Sequence, residues 1–210
     1  MGAISRRLVL AALAVLSLAA CNKGGAGGGM PDDMSMGNPN AKVTVVEYAS
    51  VACPHCAQFN NTVFPAFKAK YVDTGKVRYI PREILTGNPT LAAAGFLLAR
   101  CAGKDKYFFV TNAIYRAQDQ IYEPGTDNMR PNSGQDVLLP IAQSAGLTPD
   151  QFTKCLSDEA AAKAMNERID KAAQKDGVES TPTFIINGKK LTPGDKTLAE
   201  LDAVIQPLLK

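Results

Sequence analysis

Residues 42–72 constrain the fold of this 210-residue chain more than any other stretch. KVTVVEYAS is rich in β-branched residues and reads as a buried strand. It runs straight into CPHCAQFNNTVFPAFKAKYV, where Phe59, Val63, Phe67 and Tyr71 recur at helical spacing and Pro65 marks an expected kink. A strand hands over to a helix, and Cys53-Pro54-His55-Cys56 stands at the handover. It is the only CxxC in the chain and holds its only histidine.

The remaining elements follow in a simple order. Residues 76–85, KVRYIPREIL, read as a second strand, with Pro81 suiting an edge or a bulge. From Asn88 a helical block begins, with Pro89 early and Gly103 closing its first helix. KYFFVTNAIYRAQDQIY continues it, and EPGTDNMRPNSGQ is a loop by composition. Thr148 and Gln151 stand at capping-box spacing, and an alanine-rich helix ends near Gly177. Strand signals return in TPTFIINGKKLTPG, where Asn187-Gly188 marks a hairpin. The last segment is amphipathic, opened by Thr197 and Glu200 and interrupted by Pro207. Strand, helix, strand, helical block, hairpin and helix make an α/β chain.

The first residues are a targeting segment. Arg6 and Arg7 precede the apolar run LVLAALAVLSLAA, which has signal-peptide length and is too short to span a bilayer. It ends in LAAC, which resembles a bacterial lipobox and implies cleavage before Cys21 and its lipidation; a plain secretory peptide is the alternative. The glycine-rich stretch after it lacks apolar periodicity and reads as a flexible tether, with a reach of roughly 25 Å. Export makes the cysteine count informative. Five cysteines are an odd number, but setting Cys21 aside leaves Cys53, Cys56, Cys101 and Cys155, which could pair in an oxidising compartment. The formal charge of +3 includes the two leader arginines, so no basic stripe argues for nucleic acid.

Several chemistries use CxxC. Haem attachment needs histidine directly after the second cysteine, and Ala57 stands there. Structural zinc needs further ligands, and Cys101 and Cys155 lie singly rather than as a second CxxC. Copper delivery would want a distant histidine or methionine, but the methionines cluster in the tether. A passive disulfide is disfavoured because tight CxxC loops are strained and reactive. A redox pair fits the position. At a helix N-terminus free N–H groups favour a Cys53 thiolate, Pro54 gives up a donor the first turn does not need, and a protonated His55 adds positive charge. Cys56, one turn on, is the expected resolving thiol. No metal and no cofactor is expected.

EYASVACPHCAQF together with STPTFIING resembles the DsbA-like thiol:disulfide oxidoreductases of the thioredoxin superfamily, over residues 37–210. The resemblance implies a thioredoxin-like fold with an inserted α-helical subdomain. Residues 41–87 and 176–210 would form the thioredoxin-like domain and 88–175 the insert, after a signal peptide (1–20) and a tether (21–40). It identifies Thr181-Pro182 as the family's cis-proline site beside the active disulfide. It makes Glu47, six residues before Cys53, the buried acid that assists proton transfer at Cys56. DsbA itself has valine before the cis-proline, whereas this chain has Thr181, a residue commoner in isomerases and reductases. Cys101 and Cys155 are expected to form a structural disulfide, as in some DsbA-like proteins of other bacteria; two buried free thiols are the alternative.

The expected function is an oxidase that introduces disulfides into exported proteins bearing free thiols. A quinone-linked membrane partner of the DsbB type would reoxidise it. It would act as a monomer, lipid-anchored in the bacterial envelope and facing the periplasm. Thr181 motivates the alternative of an isomerase or reductase with an electron-supplying membrane partner. A non-catalytic binding module is the third reading.

Overall fold

A computed structural model describes residues 29–121 and 133–210. The leader, Cys21, the start of the tether and most of the loop expected over 123–135 lie outside the described residues.

Strand β1 (Val43–Ala49) leads into a helical run that changes geometry three times. It is α-helical over α1 (Pro54–Gln58), π-helical over Phe59–Val63, α-helical over α2 (Phe64–Phe67) and π-helical over Lys68–Val72. The irregularity expected at Pro65 takes the form of a π-helical turn ahead of it. Pro65 has no N–H to offer the preceding turn, and the wider turn lets Phe64 bond back to Phe59 O instead. Strand β2 (Val77–Glu83) follows, then the helices α3 (Pro89–Cys101), α4 (Lys104–Ile121), α5 (Ser133–Ser144), α6 (Pro149–Leu156) and α7 (Glu159–Asp176). Strands β3 (Thr183–Ile186) and β4 (Lys189–Lys190) and helix α8 (Leu198–Leu209) complete the chain.

The sheet order is β2-β1-β3-β4, with β1 and β2 parallel and the other pairs antiparallel. Pro81 does lie on the edge strand. Tyr79 bonds outward to Met36 in both directions, at 2.9 and 3.0 Å, so Pro81, two residues on, lacks its N–H on that same outer side. The expected hairpin turn is present, with Asn187 and Gly188 both at positive φ (45° and 82°). Both expected capping boxes are formed.

Alternation along the strands divides the core. Val43, Val45, Tyr79, Phe184 and Ile186 pack beneath Phe59, Phe64 and Phe67 and against Leu201 and Ile205. Val46, Tyr48, Ile80 and Ile185 face the helical block. Each fully buried aromatic, such as Phe67 or Phe184, contributes about 1.5–3 kcal/mol. Helix α5, for which the sequence reading offered no element, contains Pro140.

The N-terminal segment departs from expectation. The tether was expected to run to Asn40, but the chain is packed on the body from Met30. Met34 is buried, Met36 pairs with Tyr79, and Asp33 forms an ion pair with the buried Arg82 at 3.0 Å. Apolar methionines and a carboxylate aimed at a buried arginine override the loop-like composition of MPDDMSMGN. Arg82 also meets Asp176 of α7 at 2.6 Å, and buried Glu83 accepts from Arg100 and Arg168. Cys101 and Cys155 are bonded to one another, joining the end of α3 to α6.

Candidate active site

The β1 run ends at Ala49, and Ser50 turns the chain into the helix. Cys53 N–H donates to Ser50 O, and Cys53 O accepts the first helical bond, from Ala57 N–H at 3.1 Å. Cys53 is therefore the N-cap of α1, with extended backbone (φ −95°, ψ 121°) and Pro54 at the first helical position. Its side chain faces the free donors of the helical turn. Both cysteines are thiols in this structure.

The two sulfurs have opposite environments. The Cys53 thiol is pulled down to about 5. The largest cause is the Cys56 S–H donating to it; the Thr181 hydroxyl and the N–H groups of Cys56 and His55 add to this, against partial burial. Cys56 is fully buried, and burial pushes it far above the ordinary thiol range, reinforced by its bond to Cys53 and by the charge of Glu47.

Glu47 lies in β1, flanked in register by Pro81 and Phe184. It is 2% exposed, and the Tyr79 hydroxyl donates to its Oε2. Burial pushes its carboxyl up to about 8, against the lowering effect of that hydrogen bond. A cleft lined by Asn60, Thr111, Asn112 and Tyr115 leads to Glu47 and Tyr79.

The Thr181–Pro182 peptide is cis, and Thr181 O lies 3.8 Å from Cys53 Sγ. All seven residues expected at the site, Glu47, Cys53, Pro54, His55, Cys56, Thr181 and Pro182, thus belong to one neighbourhood built by β1, α1 and the loop before β3. Cys101 and Cys155 stand apart from it, in the helical block. Among the described residues, no three or more His, Cys, Asp or Glu side chains form a group that could hold a metal. No described helix is long and apolar enough to cross a membrane.

Four further residues support the site and escaped sequence reasoning. Thr86 and Thr181 share a hydroxyl hydrogen bond of 2.5 Å, which fixes the hydroxyl that faces Cys53. Gly87 (φ 76°) presses on the loop before Cys53, where a Cβ would come within 2.3 Å of Ala52 O. Gln118 of α4, buried, donates to the carbonyls of Val51 and Cys53 at 2.7 and 3.2 Å. Asp195 accepts from His55 Nδ1 at 2.9 Å. None belongs to a local motif, so spacing offered no signal for them.

The comparisons agree with this geometry. Residues 30–207 match the thioredoxin family model. A protein of Rickettsia bellii described as a putative protein-disulfide oxidoreductase is 34% identical over 157 residues, covering 75% of this chain and 58% of that protein. The crystal structure of Wolbachia pipientis alpha-DsbA1 superposes with a TM-score of 0.74 at 29% identity, covering 86% of this chain and 92% of that one. A protein-disulfide isomerase from Novosphingobium aromaticivorans gives 0.68 at 25% identity, covering 89% and 99%. This chain belongs to the thioredoxin family, as a DsbA-like member with a helical insertion in the fold. It spans a little over half the length of the Rickettsia relatives it matches.

Proposed function

We propose that this chain is a thiol:disulfide oxidase that donates the Cys53–Cys56 disulfide to exported proteins bearing free thiols. The observation that carries the reading is the split between the two sulfurs, Cys53 drawn down to about 5 and Cys56 pushed far up. A substrate thiolate attacks Cys53 Sγ, the Cys53–Cys56 bond breaks, and the Cys56 sulfur leaves with the electron pair. Its high proton affinity requires a proton at that moment. The Glu47 carboxyl, whose proton affinity is raised chiefly by burial and so without need of the Cys53 charge, is the nearby source. A second substrate thiolate then attacks the substrate sulfur of the mixed disulfide. Cys53 departs as a stable thiolate. Two substrate thiols have become a disulfide, and the pair has taken their electrons.

Thiolate stabilisation sets the direction. Lowering Cys53 from 9.0 to about 5 favours the reduced form at pH 7 by about 2.7 kcal/mol, or roughly 60 mV on a two-electron couple. That makes the disulfide the more oxidising. A DsbB-type quinone-linked membrane protein is the partner that would restore it.

The family pattern at Thr181 motivates the second reading, an isomerase or reductase served by an electron-supplying membrane partner, and one relative is named an isomerase, whereas the Thr181 hydroxyl itself favours the Cys53 thiolate. The reduction potential separates the two, measured by equilibrating the pair in glutathione buffers. A value near about −120 mV establishes a donor, and one near about −270 mV a reductase. The leader and LAAC support a periplasm-facing lipoprotein anchored through Cys21. Mass spectrometry of the membrane fraction tests that: an unmodified residue 21, or cleavage elsewhere, refutes it. A monomer is expected by light scattering.

A further inference from the structure

His55 and Asp195 come from opposite sides of the site. His55 lies in the first turn of α1, and Asp195 in the loop between β4 and α8. Their side chains meet at 2.9 Å, through Nδ1 and Oδ2. The loop that carries Asp195 is itself anchored to the cis-proline, because Gly194 N–H donates to Pro182 O at 2.8 Å. One short loop therefore ties the dipeptide between the cysteines to the residue beside the reactive sulfur. Both side chains remain substantially exposed, 66% for His55 and 45% for Asp195.

We propose that Asp195 is a positioning residue for the redox pair: its carboxylate fixes the His55 ring and balances its charge, so that Cys53 faces an ion pair rather than a titrating cation. The inference rests on the redox reading above and adds to it a control over pH dependence.

The argument is one of charge. An unpaired histidine changes charge within the neutral range. Beside a thiolate, such a change would alter the sulfur's acidity as pH crossed the histidine's own midpoint. Asp195 raises the proton affinity of His55 through the hydrogen bond and through its charge; slight desolvation opposes this, and the charge of Cys53 adds a smaller raise. A proton held on His55 is thus matched by the carboxylate it contacts at 2.9 Å. Lys196, on the same loop, directs its ammonium at the carbonyls of Gly194 and Asp195. Cys56, the other titratable group of α1, is buried.

Without Asp195 the balance changes with pH. Asp195→Asn leaves a bare imidazolium in acid, which favours the thiolate and makes the disulfide more oxidising. Near neutrality the ring loses its proton and that advantage goes.

The chain has one histidine, so its ring resonances can be followed without assignment. The His55 midpoint is read by NMR, and the glutathione equilibrium of the pair is measured from about pH 5 to about pH 7.5. In D195N the midpoint moves to lower pH. The ratio of its equilibrium constant to the wild-type constant changes by about two- to fivefold over that range, the size expected for an exposed pair, with D195N the stronger oxidant in acid. The variant H55N/D195N loses this pH step. An unchanged His55 midpoint in D195N overturns the proposal. So does a wild-type to D195N ratio that stays constant with pH, or a step that survives in H55N/D195N. A reductase-like potential would sink the oxidase reading yet leave the His55 titration fully measurable, so the two ideas fail separately.

Discussion

Replacing Glu47 with glutamine should turn a pH-dependent contribution to stability into a flat one. The carboxyl is 2% exposed, and its folded-state pKa is raised from 4.5 to about 8. Between those values the folded chain holds a proton that the unfolded chain has released. The contribution to stability is therefore fully present below the unfolded value and is lost as pH rises through about 8. Each unit is worth about 1.36 kcal/mol, so from about pH 5 to about pH 7.5 the wild-type chain loses about 3 kcal/mol through this one group. Little screening is available at such a buried site. Glutamine keeps the size and still offers an oxygen to the Tyr79 hydroxyl, but it does not titrate. The assay is urea unfolding of both reduced proteins across that range, taking the difference between them so that other titrating groups cancel. E47Q should gain about 3 kcal/mol on the wild type between acid and neutral pH. A difference that stays flat to within about 0.5 kcal/mol would refute the reasoning, because Glu47 would then have an ordinary carboxyl affinity in the fold.

Other outcomes follow from the same geometry. Alkylation of the reduced protein, or thiolate absorbance, should titrate Cys53 with a midpoint of about 5 and leave Cys56 unreactive; a midpoint at the ordinary thiol value would contradict the placement of its donors. Thr181→Val removes a hydroxyl that favours the thiolate, so this midpoint should rise and the disulfide become a weaker oxidant, by about three- to tenfold in the glutathione equilibrium for one lost hydrogen bond. The double change C101A/C155A opens a bridge between residues 54 apart and should cost about 2–4 kcal/mol in urea unfolding. It should leave the Cys53 midpoint unmoved, since neither residue lies in the site.

What the sequence made legible was whatever depends on local pattern. Thr148 with Gln151, Thr197 with Glu200 and Asn187-Gly188 each encode a turn or helix start within a few residues, and each is formed as read. The strand-to-helix junction at Cys53 was legible for the same reason. Pro65 announced an irregularity but not its form, because a missing N–H has more than one structural solution, and α5, with Pro140 inside it, went unread. The helix accommodates Pro65 with a π turn. The packing of Met30 to Met36 was hidden because its partners, Tyr79 and Arg82, lie over forty residues away. Asp195, Gln118 and Thr86 were hidden likewise: each reaches the site across the fold.

The buried carboxylate and the two sulfurs are best understood as one device. A negative charge on Cys53 raises the proton affinity of Glu47, and a charge on Glu47 raises that of Cys56. Forming the Cys53–Cys56 disulfide removes the thiolate, and with it one of the forces that keeps Glu47 protonated. Reduction restores the thiolate and draws a proton back to the carboxyl. Electron uptake and proton uptake are therefore coupled inside the fold. Under the proposed function, the burial that makes Glu47 costly near neutral pH also places its titration where Cys56 would have to gain or lose a proton. A surface carboxylate at the same sequence position would be cheaper for the fold and, already ionised, would have no proton to give the departing sulfur.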